Sequence, residues 1–322
     1  MMDIGDAIRA LEKALLAEAR GQARNMVKTH VAWNDGATLH AIGAVFPHEE
    51  FAGTKTWAHT KGSATPLLIL FDSETGRLKT IIEAFALGQL RTASASGVAT
   101  NLLAMKDADD FAMIGTGKQA LTQVAAVLAV RPIKRIRVFG RNLERCEQFA
   151  ARVKREFEIE TIAARSVVET VAGAAIITVA TRATEPVIAA HMIARGTHIN
   201  AIGAIVPGRA EITRDVLDRC SQIVVDSVPQ AQKLSRELMD FFGGADQEGW
   251  KQVRSLADLV AASESRGASG DLTLFKSLGM GISDLALGVE IYRKARADGL
   301  GREFAHPEKA APRLRREVEQ TV

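Results

Sequence analysis

Three small residues at fixed spacing near the middle of the chain could hold an anion against the backbone. Gly115, Gly117 and Ala120 form the pattern G-x-G-x-x-A between an apolar run at 111–114 and a helical pattern at 119–129. The first glycine permits a tight turn, the second lets a pyrophosphate approach the backbone, and the third residue lets helix and strand pack closely. Free N–H groups at the helix start favour an anion. The predicted cofactor-binding residues of this turn are Gly115, Thr116, Gly117, Lys118, Gln119 and Ala120.

The residues after the next strand bear on which dinucleotide would bind. The run 135–139 predicts that strand, and Gly140 and Arg141 follow it. NAD-binding turns usually carry an acidic residue there, which holds the ribose 2′-hydroxyl. A guanidinium suits a 2′-phosphate instead, so Arg141 predicts NADP(H) in preference to NAD(H), with NAD(H) still possible. Two alternatives stay open. The glycine turn could have a structural role only, without a ligand, and Arg141 could be a solvated charge of the loop.

Three cations from the first third of the chain could converge on a carboxylate substrate. Lys28 and Lys55 fall in strand-like runs, and Arg91 precedes a crowd of small residues in a predicted helix. Lys and Arg donors together bind a carboxylate strongly in a partly dry site. For each residue taken singly, a solvated surface cation remains the alternative.

The elements needed to position these cations form a first group. Ile4, Ile8, Leu11 and Leu15 recur at helical spacing. The tripeptide 34–36, Asn-Asp-Gly, predicts a hairpin between strands at 26–33 and 37–44. Further strands are predicted at 53–59, 66–71 and 78–84, and a helix at 87–105. This part of the chain therefore predicts a mostly antiparallel sheet with helices.

From residue 109 onwards, strands alternate with helices. This order predicts a parallel sheet whose ligand lies at the carboxyl ends of the strands. The segment 241–270 is predicted to be irregular apart from a helix at 256–262. The segment 271–286 carries two glycines in a loop-to-helix context, and a last helix is predicted at 282–296.

Composition narrows the class of protein. A chain of 322 residues fits two domains, and its net charge of +3 comes from scattered basic residues, so no nucleic-acid partner is predicted. The two cysteines, Cys146 and Cys220, lack the spacing of a metal site, so no metal is predicted. With so few cysteines, a reducing compartment is predicted. The first residues lack the pattern of a signal peptide and no apolar run reaches the ~20 residues of a membrane span. We therefore predict a cytoplasmic protein without a membrane partner.

Seven stretches together resemble the ornithine cyclodeaminase and mu-crystallin family over nearly the whole chain. They are GTKTW, ILFDSETGRL, LRTASASGVAT, IGTGKQA, TVATRATEPVI, HINAIGAIVPGRAEI and TLFKSLGMG, and their order and spacing match. The resemblance implies an α/β protein with a Rossmann-type parallel-sheet nucleotide domain at 109–289. It also implies an α+β substrate and dimerisation domain at 1–108, completed by the C-terminal helix as 290–322 fold back, and a homodimer. The substrate pocket would lie between the domains, facing the nicotinamide.

The resemblance also implies roles for single residues. Lys55 and Arg91 match family residues that contact the substrate carboxylate, and Lys55 is our candidate for polarising the substrate or donating a proton. Lys28 stands where many members have an arginine, and a lysine loses the planar two-pronged grip.

In the nucleotide domain, the turn residues match the family's diphosphate turn. Arg141 with Asn142 matches the position that reads the 2′-phosphate in members that use NADP. Thr181 matches the strand end near the nicotinamide ribose.

Ile205 is the larger departure from the family pattern. Ornithine cyclodeaminases carry an aspartate there, in N-A-x-G-x-D-x-P-G, which acts on the ornithine amine, whereas this chain reads NAIGAIVPG. An isoleucine cannot hold an ammonium group, and burying an unpaired ammonium against it is costly. Ile205 would instead form an apolar wall of the substrate pocket.

The prediction is therefore an NADPH-dependent reductase of imino acids, with cyclic ketimines such as pyrroline-2-carboxylate as the favoured substrates. The alternatives are an ornithine cyclodeaminase with tightly bound NAD, an amino-acid dehydrogenase of the alanine type, and a non-enzymatic NADPH-binding protein.

Overall fold

The first sheet is antiparallel and lies near the N-terminus. The computed structural model of the chain describes residues 2–34, 36–263, 266 and 270–314. Helix α1 (Ile4–Ala19) comes first and α2 (Phe85–Leu103) follows the sheet. Within the described residues the sheet has six strands, β1 (Arg24–Asn25), β2 (Thr29–Trp33), β3 (Ala37–Phe46), β4 (Phe51–His59), β5 (Leu67–Asp72) and β6 (Leu78–Glu83).

The predicted hairpin forms, but its first strand is shorter than the sequence pattern suggested. β2 pairs with β3 from Trp33 opposite Ala37, and Asp35 of the turn lies outside the described residues. β1 and β2 lie on the same edge of β3, and between them the register shifts by one residue. The predicted strand 26–33 is thus wrong in its first half, because a bulge interrupts it. Lys28 lies in that bulge, and bulges re-aim side chains.

The second sheet is parallel throughout. Within the described residues its order is β13-β12-β14-β11-β10-β7-β8-β9. The strands are β7 (Asp110–Ile114), β8 (Arg135–Phe139), β9 (Glu160–Ala163), β10 (Ile176–Val179), β11 (His198–Ala201), β12 (Cys220–Val225), β13 (Val253–Ser255) and β14 (Leu272–Lys276). The helices are α3 (Ala120–Leu128), α4 (Leu143–Phe157), α5 (Val167–Val171), α6 (Arg214–Asp218), α7 (Val228–Leu234), α8 (Arg236–Phe242), α9 (Leu256–Ala262) and α10 (Gly281–Ala297). The predicted α/β class with a Rossmann-like parallel sheet is confirmed.

Strand β14 is a central strand that the sequence pattern did not reveal. It lies between β12 and β11, and all five of its residues are buried. The prediction of a loop-to-helix segment over 271–286 was therefore wrong in its first half. A short strand buried on both faces shows no alternation of polar and apolar residues, so periodicity cannot identify it.

Helix α2 runs between the two sheets, and its small residues permit close approach on several sides. It packs against α1 and α3, and also against β11 and β14 of the parallel sheet. A Cβ at Gly97 would lie 2.6 Å from the Ile8 side chain. The Thr100 hydroxyl accepts a hydrogen bond from Asn200 of β11 at 3.0 Å. The two sheets are therefore joined through a shared helix layer.

Helix α10 follows the parallel sheet in the chain but covers the antiparallel one. Ile282, Leu285 and Val289 share a core with Leu68 and Leu70 of β5. Packing on the first sheet thus begins before residue 290, so we propose to draw the domain boundary ahead of Gly281. Residues 301–314 form neither helix nor strand, and 315–322 lie outside the described residues.

Two kinds of feature are not found in the part of the chain that the structure describes. None of its helices is long and apolar enough to span a membrane. No group of three or more His, Cys, Asp or Glu side chains is placed to hold a metal ion there.

Replacing Gly281 with alanine is expected to destabilise the fold. A Cβ at this position would lie 1.8 Å from the carbonyl oxygen of Gly43, so the start of α10 would have to move away from β3. We expect a loss of about 2 kcal/mol or more in unfolding free energy, measured by denaturant titration. Gly88→Ala is the matched control, because this helical glycine has no atom within 4 Å of its Cβ position. The control should gain up to about 1 kcal/mol from helix propensity. Equal stabilities of the two variants would contradict the close contact.

Candidate functional site

The glycine turn between β7 and α3 forms an open cradle at a helix N-terminus. Gly115 has φ +105° and its N–H donates to the Phe139 carbonyl at 2.8 Å. A Cβ on Gly115 would lie 2.4 Å from the Ala180 oxygen, so only glycine fits. A Cβ on Gly117 would instead have no atom within 4 Å. Open space beside Gly117 and the start of the nine-residue helix α3 fit a pyrophosphate.

The other predicted turn residues line the same cradle or its rim. Thr116 packs against Gly140 at the end of β8, where a Cβ would lie 3.0 Å from its hydroxyl. Gln119 precedes α3, and its buried Oε1 has no hydrogen-bond partner among the described residues. The Lys118 ammonium lies 5.3 Å from the ring centroid of Phe85, the first residue of α2. Lys118 thus links the turn to the antiparallel part of the molecule.

Arg141 and Asn142 follow β8 and differ in what they contact. The Asn142 side chain accepts a hydrogen bond from the Arg145 N–H at 2.9 Å and caps α4. Asn142 therefore has a structural use beside its predicted one. Arg141 is exposed next to the end of β8. Its predicted role as the reader of a 2′-phosphate stays a prediction.

Two of the predicted substrate cations meet on one carboxylate that the sequence did not point to. The Lys55 ammonium of β4 lies 2.5 Å from Asp284 Oδ1, and Arg91 Nε of α2 lies 3.4 Å from the same oxygen. The Asp284 side chain is 1 % exposed and Lys55 is also buried. Gly279 leaves room for the guanidinium, since a Cβ there would lie 3.0 Å from Arg91 Nη1.

Lys28 and a second buried carboxylate, Asp226, belong to the same cluster. Burial lowers the pKa of Lys28 first, and the charge of Arg91 lowers it further, while Asp226 and Asp284 oppose both effects. Asp226 directly follows β12 and accepts hydrogen bonds from the N–H groups of Leu278 and Gly279. The structure therefore brings together three basic side chains and two carboxyl groups, and burial raises the pKa of Asp226 while it lowers the pKa of Lys28 and of Lys55.

Lys55 is poised to change its protonation state near neutral pH. Burial is the main reason why the pKa of Lys55 falls to about 8, and the charges of Arg91 and Lys28 lower it further. The Asp284 carboxylate acts in the opposite direction. A lysine with this pKa can hold a proton at pH 7 and release it to a bound base.

An aromatic stack extends the sheet surface beside Lys55. The Lys55 ammonium lies 5.1 Å from the ring centroid of Trp57. Trp57 stacks on His40 with centroids 4.7 Å apart, and His40 stacks on His30 at 5.4 Å. Burial lowers the pKa of His40 to about 4, so its ring is neutral at pH 7. The stack offers a flat, uncharged surface next to the cations.

A buried acid, Glu211, fixes the strand ends that carry Thr181 and the loop of Ile205. The Thr181 N–H and hydroxyl donate to Glu211 Oε1 at 2.7 and 2.8 Å. The N–H groups of Gly203 and Ala204 donate to its other oxygen at 2.7 and 3.0 Å. The Thr181 hydroxyl is thus engaged by the protein itself. Ile205 follows Ala204 and is half-buried.

The cation cluster and the glycine turn lie along one helix. Phe85, which contacts Lys118 of the turn, and Arg91 of the cluster are six residues apart in α2, or about 9 Å along its axis. Helix α2 therefore contacts both the glycine turn and the cation cluster.

Sequence reasoning missed the three buried acids that organise the site. Asp226 could have been found, because it ends a predicted strand at the edge where ligands bind. Glu211 lies in a loop and gives no pattern. Asp284 was the strongest available signal, since it is the one charged residue within 281–289 of the last helix.

These features define a Rossmann-like α/β protein with an open glycine turn and a buried cation cluster on an adjoining antiparallel sheet. The model of the ornithine cyclodeaminase/mu-crystallin family matches residues 1–299. The chain therefore belongs to that family, and the predicted membership is confirmed.

The chain is similar in sequence or structure to several known enzymes. The chain is 31% identical to a ketimine reductase mu-crystallin of Mus musculus over 70% of this chain and 68% of the relative. The structure of Thermococcus litoralis Δ1-pyrroline-2-carboxylate reductase in complex with NADH and L-proline aligns with a TM-score of 0.88 at 29% identity, covering 94% and 96% of the two chains. An archaeal alanine dehydrogenase dimer with bound NAD aligns with a TM-score of 0.86 at 26% identity, covering 94% and 95%. These names are those of oxidoreductases, and the predicted enzyme class is confirmed at that level.

Gly117→Ala is expected to weaken dinucleotide binding without loss of stability. Its Cβ would point into open space, so the protein alone tolerates it, whereas a bound pyrophosphate would be displaced. We expect binding weaker by about tenfold or more in a fluorescence titration with NADPH. Gly115→Ala should instead lower the melting temperature, because the Ala180 oxygen occupies the space its Cβ needs. Unchanged NADPH binding by Gly117→Ala would rule out a pyrophosphate at this turn.

Proposed function

We propose that this chain is an imino-acid reductase that uses a nicotinamide dinucleotide, with NADP(H) preferred over NAD(H). The favoured substrates are cyclic ketimines such as pyrroline-2-carboxylate. The observation that carries the proposal is the buried cluster of Lys55, Arg91 and Asp284 beside an open glycine turn. The T. litoralis pyrroline-2-carboxylate reductase and the M. musculus ketimine reductase support the substrate class.

The cations orient the substrate. Arg91 and Lys55, with Lys28 assisting, hold its carboxylate through charge-assisted hydrogen bonds. The stack of Trp57 and His40 lies beside Lys55 and suits a flat unsaturated ring. Placement of this kind supplies much of the rate enhancement for a substrate that needs only a proton and a hydride.

Proton supply falls to Lys55. Its pKa of about 8 leaves it charged at pH 7, so its ammonium can donate to the imine nitrogen. A bound nicotinamide dinucleotide would supply the hydride, held by the cradle at Gly115 and Gly117 with Arg141 at the 2′-phosphate. Thr181, at its Glu211-fixed strand end, would adjoin the nicotinamide ribose.

Ile205 is what separates this proposal from its nearest rival. A cyclodeaminase must hold a second amine of ornithine, and a half-buried isoleucine in the 203–209 loop cannot do so. An imine reductase needs no charge there. Dehydrogenation of an amino acid such as alanine is the second candidate function, supported by the likeness to the archaeal alanine dehydrogenase. In that reaction the same cations would bind the carboxylate of the amino acid.

The decisive experiment is an NADPH oxidation assay with pyrroline-2-carboxylate, compared with pyruvate plus ammonia and with ornithine. We expect turnover with the cyclic imine, because the cations bind its carboxylate and Lys55 donates the proton to its nitrogen. Proline formed from ornithine without added nucleotide would favour the cyclodeaminase. NADPH binding without turnover on any of these substrates would overturn the reductase.

The same assay tests the cofactor preference through Arg141. We expect NADPH to have the higher kcat/KM, and Arg141→Ala to reduce that preference by about tenfold or more, since a charge-assisted contact with a phosphate is lost. Arg155→Ala, another exposed arginine but in the last turn of α4, is the matched control and should keep the preference. A wild type that prefers NADH would remove the argument from Arg141.

We further propose that the chain forms a homodimer through the outer face of its antiparallel sheet. That face presents the exposed side chains of Val31, Leu39 and Ile81, which lie on three different strands. Cross-strand pairing puts Val31 opposite Leu39 on one face. Extended apolar surface of this kind typically marks an interface, and the archaeal alanine dehydrogenase is described as a dimer.

Light scattering should give about twice the chain mass of 34.6 kDa for the wild type. Leu39→Lys should shift the mass toward the monomer, because a charge would be buried at the interface. Val168→Lys, at an exposed valine of α5, is the matched control and should stay dimeric. A monomeric wild type at micromolar concentration would contradict the interface.

A further inference from the structure

Asp284 contacts two of the three cations proposed to bind the substrate, Lys55 and Arg91. Its Oδ1 lies 2.5 Å from the Lys55 ammonium and 3.4 Å from Arg91 Nε. Its Oδ2 is buried without a hydrogen-bond partner among the described residues, as is Arg91 Nε. Because both carboxylate oxygens are enclosed by protein, Asp284 is placed to act on the cations and not on a substrate.

Backbone contacts fix where Asp284 stands. It lies in the first turn of α10, where Gly281 abuts the Gly43 carbonyl of β3. The Ile282 N–H of the same turn donates to the Asn25 side chain of β1 at 2.9 Å. The position of this carboxylate is therefore set by two strands of the sheet that also carries Lys55.

We propose that Asp284 is a positioning residue, which keeps Lys55 charged and aligned with Arg91 so that Lys55 can act as the proton donor. This inference rests on the proposed reductase function, which assigns that donor role. In the step concerned, an N–H bond of the Lys55 ammonium breaks as the imine nitrogen gains the proton. A reduced nicotinamide held at the glycine turn would supply the hydride that completes the reduction at the C=N carbon. Lys55 is left as a neutral amine, which water reprotonates, and Asp284 remains a carboxylate throughout.

The electrostatic reason lies in what surrounds the Lys55 ammonium. Asp284 faces it from α10, Arg91 faces it from α2, and Lys28 faces it from the bulge between β1 and β2. Trp57 adds an uncharged ring from the same strand. Burial and both neighbouring cations lower the pKa of Lys55, and among these groups Asp284 alone raises it. Without Asp284, Lys55 would lose its proton at a lower pH.

The first test measures the titration of Lys55 directly, without reference to activity. The protein is labelled with ¹³C-lysine, the Cε signal of Lys55 is assigned with Lys55→Arg, and its shift is followed with pH. In Asp284→Asn we expect the Lys55 midpoint to fall by about one pH unit or more relative to wild type. Glu290→Gln is the matched control, because it makes the same carboxylate-to-amide change on the outer part of α10, where Glu290 pairs with Arg293.

The second test compares kcat/KM of the reductase across pH, because kcat/KM reports the ionisation of the free enzyme. The alkaline limb of kcat/KM should move to lower pH in Asp284→Asn, in step with the NMR midpoint, and should stay in place in Glu290→Gln. The imine substrate titrates in the same way with every variant, so a difference between the pH profiles of two variants comes from the protein. Lys55→Arg should lower kcat/KM across the whole pH range, since a guanidinium keeps its proton and cannot act as the donor.

Each outcome decides between the two proposals. An unchanged Lys55 midpoint in folded Asp284→Asn overturns the positioning role, even if activity falls at every pH. A shifted midpoint in a protein without turnover on imines keeps the role of Asp284 toward Lys55 and overturns the reductase function. If Asp284→Asn does not fold, Asp284→Ser removes the same charge with a smaller side chain, and its Lys55 midpoint decides the matter in the same way.

Discussion

The contact between the first turn of α10 and strand β3 is the constraint on which the site depends. Gly281 touches the Gly43 backbone so closely that no side chain fits between them. That contact places the Asp284 carboxylate against the sheet formed by residues 24–83, where it contacts Lys55. Arg91 of α2 contacts the same carboxylate. The loop before α10 is in turn tied by Asp226 to the end of β12 in the parallel sheet. One close helix-to-strand contact therefore sets the geometry of a site built from both halves of the molecule.

Burying charge at this point is unfavourable by itself, and the cluster is arranged to reduce the cost. Three cations in a partly dry space repel one another, and each loses hydration. Asp284 offsets part of that charge through its contacts with Lys55 and Arg91, and a carboxylate ligand would offset more of it. Ile205 cannot offset the charge of a buried ammonium group. The site therefore suits substrates that bring no second ammonium group.

Local patterns in the sequence identified most elements but could not identify the partners of the site. The glycine turn, the hairpin and the alternation of strands and helices each depend on neighbouring residues, and they were found within a few positions. Strand β14 escaped because it is buried on both faces, and the bulge at Lys28 escaped because a one-residue register shift leaves no mark in the local sequence. Lys55 and Arg91 were singled out through family resemblance. Asp284 pairs with Lys55 across 229 positions, and no local pattern carries that information.

Because α10 closes the first sheet from the far end of the chain, it also governs the order in which the molecule can be made. During synthesis the strands with Leu68 and Leu70 emerge early, but the helix that covers them follows only after the entire parallel sheet. The core of the first sheet lacks its α10 residues over that interval, which is the period when apolar strands are most prone to aggregate. The parallel sheet, whose strands are contiguous in the chain, can become compact first and offer α2 a surface. Translation rate and chaperone access between residues 84 and 289 therefore bear on the yield of folded protein.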